Sequence, residues 1–354
     1  MGSLWQKLMR PVMFGLDAES AHELGIEVLR LGLASPFTSG ASANFGEIER
    51  FGLKFANPLG MAAGFDKNGV VVNQLAALGF GFVEVGTVTF QPQKGNPKPR
   101  MFRLPADQGL VNRLGFNNDG AVVVAERLTK LDRNCIIGVN IGKNKEVPKE
   151  EAAENYLNSF DLVHPVADYI AVNISSPNTP NLRELQKTEN LEELLGALTS
   201  RNNELGRKPL LVKIAPDLAE SEIEAIVDVC LRCWIEGIIA TNTTISRVGL
   251  TSDSSKSGDG GLSGRPLAER STEVISTVFR YSKGKLPIVG VGGIFSAEDA
   301  FAKVTAGASL IQAYTGFVYG GPSFGRDVVS GLAAILNQRG FENLDQAVGS
   351  AVIA

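Results

Sequence analysis

The chain has 354 residues, 44% of them hydrophobic, enough apolar side chain for a large folded core, which excludes a disordered protein. Its 34 Lys and Arg against 38 Asp and Glu leave a formal charge of -4, so no overall positive field exists to hold a phosphate backbone, and nucleic acid is not an expected partner. Three cysteines and two histidines, His22 and His164, exclude a disulfide framework and a histidine-rich centre, and no metal is expected.

Residues 1–36 read as a small helical subdomain. Asp17 is placed to cap a helix with Ala21, Leu24, Val28 and Leu31 on one stripe, while Leu4, Trp5, Leu8 and Met9 form a shorter apolar patch before Pro11. No run of about 18 apolar residues occurs and no signal-peptide pattern opens the chain, so contact with a membrane would be interfacial.

From about residue 57 the pattern changes to short, β-rich apolar runs, each followed by a loop and a helical stretch. The runs are Pro58–Ala63, Gly81–Thr89, Cys135–Ile141, Tyr169–Ile174, Leu210–Ala215, Gly237–Asn242, Pro287–Gly292 and Ser309–Thr315, nearly continuous in hydrophobicity, as in strands buried on both faces. Leu191, Leu194, Leu195 and Leu198 recur at helical spacing between them, as do Ile223, Ile226, Val227 and Cys230. Eight βα units over 37–354 predict a (β/α)₈ TIM barrel behind the helical subdomain. Gln91–Arg103, with three prolines, must leave the repeat as a loop or hairpin, its cations Lys94, Lys98 and Arg100 in solvent; Arg247–Gly264 reads as a long loop over the active site. Cys230 and Cys233 read as inert helix thiols.

Barrel chemistry sits at the C-terminal ends of the strands, and these ends are polar: Ala62-Ala63-Gly64, Thr87, Asn140, Asn173, Lys213, Thr241-Asn242-Thr243, Gly292-Gly293 and Tyr314-Thr315. Lys213 interrupts an apolar LLVKIA run and needs a partner to offset its desolvation. The glycines after the seventh run and the Tyr314-Thr315-Gly316 turn fall where barrels build phosphate sites. Without a dinucleotide fingerprint or P-loop, flavin mononucleotide fits best, and a lysine beside its ring would tune its electronics. The segment Asn173–Thr179 is the densest polar stretch; Ser176 lies outside any hydrolase elbow, leaving it a base role in a dry site.

The motifs AAGFDKNG (Ala62–Gly69), NRLGFNN (Asn112–Asn118), NISSPNT (Asn173–Thr179), KIAPDL (Lys213–Leu218), TNTT (Thr241–Thr244) and GGLSGRPL (Gly260–Leu267) resemble the dihydroorotate dehydrogenase family over the whole chain. Serine at Ser176 and the helical N-terminus resemble its class 2, quinone-reducing branch; class 1 members carry cysteine there. The resemblance implies oxidation of (S)-dihydroorotate to orotate in pyrimidine (UMP) biosynthesis, with FMN as hydride acceptor and a membrane quinone as final acceptor. It implies Ser176 as the base, and Lys67, Asn112, Arg113, Leu114, Gly115, Phe116, Asn173, Asn178, Asn242 and Thr243 around the substrate. It implies FMN contacts from Ala62, Ala63, Gly64, Phe65, Asp66, Thr87, Asn140, Asn173, Lys213, Thr241, Gly264, Gly293, Tyr314 and Thr315, and a quinone site near His22, Arg103 and Tyr314. A peripheral protein on the cytoplasmic side of a bacterial cell membrane is the location it implies. The alternative is a class 1 or other FMN barrel with a soluble acceptor; the quinone used and the oligomeric state are left open.

Overall fold

The computed structural model describes residues 5–37, 45, 48–253, 255 and 257–353. Leu4 of the apolar patch, and Ser254 and Lys256 of the long loop, lie outside the described residues.

A helical turn, Trp5–Met9, runs into α1 (Arg10–Gly15), followed by α2 (Ala18–Arg30). Asp17 caps α2 as expected: its carboxylate accepts the Ser20 amide at 2.9 Å, and that bond holds its pKa below the usual carboxylate range. The predicted stripe is corrected. Leu24 and Leu31 are 45% and 66% exposed, whereas Ala18, Ala21, His22, Gly25, Val28 and Leu29 face the barrel. The helix is rotated because Glu19, a residue that solvent would normally keep, is drawn inward onto Arg100.

A hairpin of β1 (Ile48–Arg50) and β2 (Leu53–Phe55) then covers the bottom of the barrel, with Phe55 packed edge-on against Phe82 at 5.2 Å. The barrel itself is β3 (Leu59–Met61), β4 (Phe82–Val88), β7 (Ile136–Ile141), β8 (Tyr169–Asn173), β9 (Leu210–Ile214), β10 (Gly237–Ala240), β12 (Ile288–Val291) and β13 (Leu310–Ala313), all parallel and closed in that order. Each falls within one of the eight predicted runs, and all but the first residue of β7 are buried, because helices cover one face and the barrel core the other. The surrounding helices are α3 (Val72–Ala77), α4 (Ala121–Thr129), α5 (Ala152–Val163), α6 (Thr188–Leu205), α7 (Glu220–Arg232), α8 (Ala268–Ser282), α9 (Ala297–Thr305), α10 (Thr315–Gly320) and α11 (Phe324–Gln338). The leucine stripe of α6 and the Ile/Val/Cys stripe of α7 are buried as their spacing requires.

Three further strands belong to the upper rim. The Gln91–Arg103 excursion runs as a loop into a hairpin of β5 (Met101–Leu104) and β6 (Gly109–Asn112), most of which lies beyond it, and β11 (Gly261–Gly264), from the end of the long loop, pairs antiparallel with β6. This sheet joins two distant loops into one cover. Cys230 is buried in α7 and Cys233 half-buried beyond its end; both are free, and burial raises both thiol pKa values, which favours the protonated, inert forms.

Candidate active site

One cavity of about 1080 Å³ opens at the C-terminal ends of the strands, under the rim sheet. Lys67, Asn112, Ser176, Asn178, Asn242 and Thr243 line it, with Leu114, Gly115 and Phe116 from the loop after β6. Ala62, Ala63, Gly64, Thr87, Asn173, Lys213, Thr241, Gly264, Gly293, Tyr314 and Thr315 complete the set that the sequence placed there. The amides are tied together. Asn178 donates to the Asn112 side-chain oxygen at 3.2 Å, and Asn242 donates to Asn173 at 3.2 Å and to the Ser175 hydroxyl at 3.0 Å. Ser176 is buried, and its Oγ accepts the Asn178 amide at 3.3 Å. Lys67 stands on the wall toward α2; burial pushes its pKa down to about 8, against the pull of Glu19.

Beneath this layer lies a group that no motif indicated. Glu84, in β4, is fully buried and accepts from Asn140 Nδ2 at 2.9 Å, Tyr169 Oη at 3.1 Å, Gln312 Nε2 at 2.7 Å and Lys213 Nζ at 3.4 Å. It is the partner that the buried lysine required. A carboxylate inside the apolar FVEVGTV run was as conspicuous as the lysine in LLVKIA, and it could have been found by the same reasoning.

Two strands round from the lysine, the backbone is drawn in close. Gly292 and Gly293 follow β12 with φ of 125° and 73°, and a Cβ on Gly293 would lie 2.3 Å from that of Ala268. Gly264 has φ 100°, and a Cβ there would meet the Gln108 carbonyl oxygen at 2.3 Å. Only glycine fits such a cradle, which brings main-chain groups close to the cavity surface as phosphate binding demands. The Gln312 side-chain oxygen, on the cavity wall, is buried without a hydrogen-bond partner and so offers a free acceptor to a ring amide. These features fit a flavin carrying one phosphate.

A second cleft, of about 960 Å³ and almost wholly apolar, lies between α1, α2 and the rim. His22, Arg103 and Tyr314, the three residues expected near a quinone, all line it. His22 packs edge-on to Phe65 at 5.0 Å and parallel to Tyr314 at 6.5 Å. Burial, and then the charge of Lys67, lower its pKa to about 3, so it is neutral at working pH. Arg103 donates to the carbonyls of Met13 and Leu16 and sits over the Phe14 ring, which anchors the end of α1. Tyr314, Met101 and Leu110 border both this cleft and the first cavity.

Four predicted residues lie outside the cavity. Phe65 faces the apolar cleft, and Asp66 spends its carboxylate on the Val70 and Val71 amides at 2.9 and 2.8 Å. Asn140 stands one layer behind, accepting from Thr87 at 2.6 Å and donating to Glu84. Arg113 turns outward, donates to the carbonyls of Ser257 and Asp259 and stacks on Phe102, so it holds the long loop in place. The proline-rich loop also departs from expectation. Arg100 is buried on Glu19 and donates to the carbonyls of Lys94 and Asn96, because the carboxylate and two turn carbonyls together satisfy a guanidinium out of water.

Fold and site define a (β/α)₈ barrel enzyme with its chemistry at the C-terminal rim and an apolar annex beside it. The comparisons narrow the class: the dihydroorotate dehydrogenase family model matches residues 47–336. The chain is 51% identical over 351 residues to the dihydroorotate dehydrogenase (quinone) of Gloeobacter violaceus and 48% identical over 356 residues to that of Roseiflexus, with 98% of each chain covered in both cases. A solved structure, the Eimeria tenella DHODH in complex with ferulenol, superposes with a TM-score of 0.87 at 39% identity, covering 96% of this chain and 98% of that one. The chain belongs to the dihydroorotate dehydrogenase family, whose members use a flavin.

Proposed function

We propose that this enzyme oxidises (S)-dihydroorotate to orotate and passes the electrons to a quinone, the redox step of pyrimidine biosynthesis. The observation that carries this reading is the gathering of Lys67, Ser176, Lys213 and the asparagine amides in one cavity that shares the Tyr314 wall with an apolar cleft. FMN is the flavin proposed, held by Ala62–Gly64, Thr87, Lys213, Gly264, Gly293 and Thr315, with Asn140 supporting Thr87 from behind. When bound, it supplies hydride acceptance.

This chain's own residues do the rest. Lys67 binds the substrate carboxylate, while Asn112, Asn173, Asn178, Asn242 and Thr243 present fixed donors and acceptors to the ring amides, so that the substrate enters already oriented. Ser176 Oγ takes the C5 proton; the Asn178 amide, which it accepts, holds the oxygen in place. The rim sheet excludes water, which strengthens each of these contacts.

The quinone enters through the cleft lined by His22, Arg103 and Tyr314, and residues 1–36 form the subdomain that gives access to it, with 37–354 as the catalytic barrel. Among the described residues no helix is long and apolar enough to cross a membrane. Leu8, Val12, Leu16 and Leu24 are exposed along the first turn, α1, the link after it and α2, and they support peripheral attachment to the cytoplasmic face of a bacterial cell membrane. The test is spectroscopic: purified protein should be yellow, release FMN on denaturation and bleach on anaerobic addition of dihydroorotate. Release of FAD would overturn the cofactor reading, and failure to bleach would overturn the substrate.

A further inference from the structure

We propose that Glu84 is the buried counter-ion of Lys213, and thereby sets the charge presented to the cofactor from the floor of the cavity. The inference rests on the placement of a flavin against Lys213. Among the described residues, Glu84 is the one acceptor that Lys213 reaches, at 3.4 Å, and neither side chain is more than 6% exposed. A charge at that depth needs a partner, since burial strips the water that would otherwise stabilise it.

Both carboxylate oxygens are satisfied from four strands: β7 supplies Asn140, β8 Tyr169, β9 Lys213 and β13 Gln312. Asn140, Gln312 and Lys213 turn hydrogens toward this one group, and three such donors beside the Tyr169 hydroxyl suit the acceptor-only character of a carboxylate. The tyrosine agrees. Burial, and then the negative charge of Glu84, raise the Tyr169 pKa far above its usual value, so Tyr169 stays a donor. Other titratable groups near the pair are Cys135, below Tyr169, whose thiol burial raises to about 11, and Lys67 on the upper wall. Neither is an anion able to replace Glu84 at neutral pH. Glu84 does not line the cavity; it is a positioning residue acting through Lys213.

The experiment compares holoenzyme variants E84Q and E84D by anaerobic redox titration of the bound flavin across pH. In E84Q the midpoint potential should depart from the wild-type curve, because the lysine has lost the carboxylate that offsets its burial. The reduction equilibrium should drop about tenfold, or ~30 mV for a two-electron couple. E84D, which keeps the charge, should follow wild type. An E84Q curve superimposable on wild type would overturn the proposal. A second measurement serves if E84Q loses its flavin: thermal unfolding of E84Q, Lys213→Gln and the double variant. Removing both charges should restore part of the loss that either single change causes. Additive losses would overturn the pair. Absence of flavin from wild type would instead refute the cofactor reading, and the unfolding cycle would still judge Glu84.

Discussion

Glu19 of α2 and Arg100 of the proline-rich loop form an ion pair at 2.7 Å with both side chains only 7% exposed, so the N-terminal helices are locked to the barrel by charge as well as by apolar packing. Lys98 adds a looser contact to Glu19 and Glu23 at 3.5 and 3.0 Å. Removing one partner of a buried pair leaves the other unpaired, at a cost of about 3–5 kcal/mol. Arg100→Met should therefore lower the melting temperature and weaken quinone reduction more than flavin reduction by dihydroorotate. The double variant Glu19→Gln/Arg100→Met should regain part of the stability. Stopped-flow traces of the two half-reactions, with melting curves, decide it; equal loss in both half-reactions would mean that the pair serves stability alone.

The role proposed for Lys67 makes substrate capture pH-dependent. Its proton is held up to a pKa of about 8, so the cation proposed to meet the substrate carboxylate is present below that pH and is lost above it. The value of kcat/KM should fall as pH rises through about 8, with KM carrying the change. Lys67→Gln should raise KM at neutral pH and abolish that limb. The same depression has a sign for folding: the unfolded chain binds the proton more tightly, so this group's contribution to stability rises between about pH 8 and the ordinary lysine value.

Ser176→Ala should bind dihydroorotate nearly as well as wild type but reduce the bound flavin more slowly by a factor on the order of 10²–10⁴, the worth of a positioned general base. Ser176→Cys should recover part of the loss at raised pH, because a thiol of pKa about 8.5 ionises more readily than a hydroxyl. Unchanged single-turnover flavin reduction in Ser176→Ala would remove the serine from proton transfer.

Gly25 offers a way to fill the apolar cleft without disturbing the barrel. It lies in α2 on the cleft wall, and a Cβ there meets nothing within 4 Å. Gly25→Leu should favour the helix by roughly 0.5–1 kcal/mol while occupying quinone space. Dihydroorotate-driven flavin reduction should be unchanged, and reoxidation by a long-chain quinone should slow. Full quinone turnover in a well-folded Gly25→Leu protein would place the acceptor elsewhere.

The eight barrel strands and the residues at their ends were legible in the sequence because parallel strands buried on both faces must be apolar throughout, so each polar residue that ends or interrupts a run stands out. Lys213 and Asn173 were visible on that ground alone, and Gly293 from the glycine pair that closes the seventh run. The tertiary structure decided what depends on contacts between distant segments. Which face of α2 is buried was set by Arg100, 81 residues beyond Glu19. Arg113 and Asp66 lie in the right motifs yet serve the loop and a turn, since their nearest unsatisfied partners were backbone groups of neighbouring segments. Glu84 and Lys213 stand 129 residues apart, and only closure of the barrel brings the carboxylate beneath the lysine. Periodicity and turn chemistry are local and can be read along a chain, but the partner of a buried charge is chosen by the packing that removes both from water.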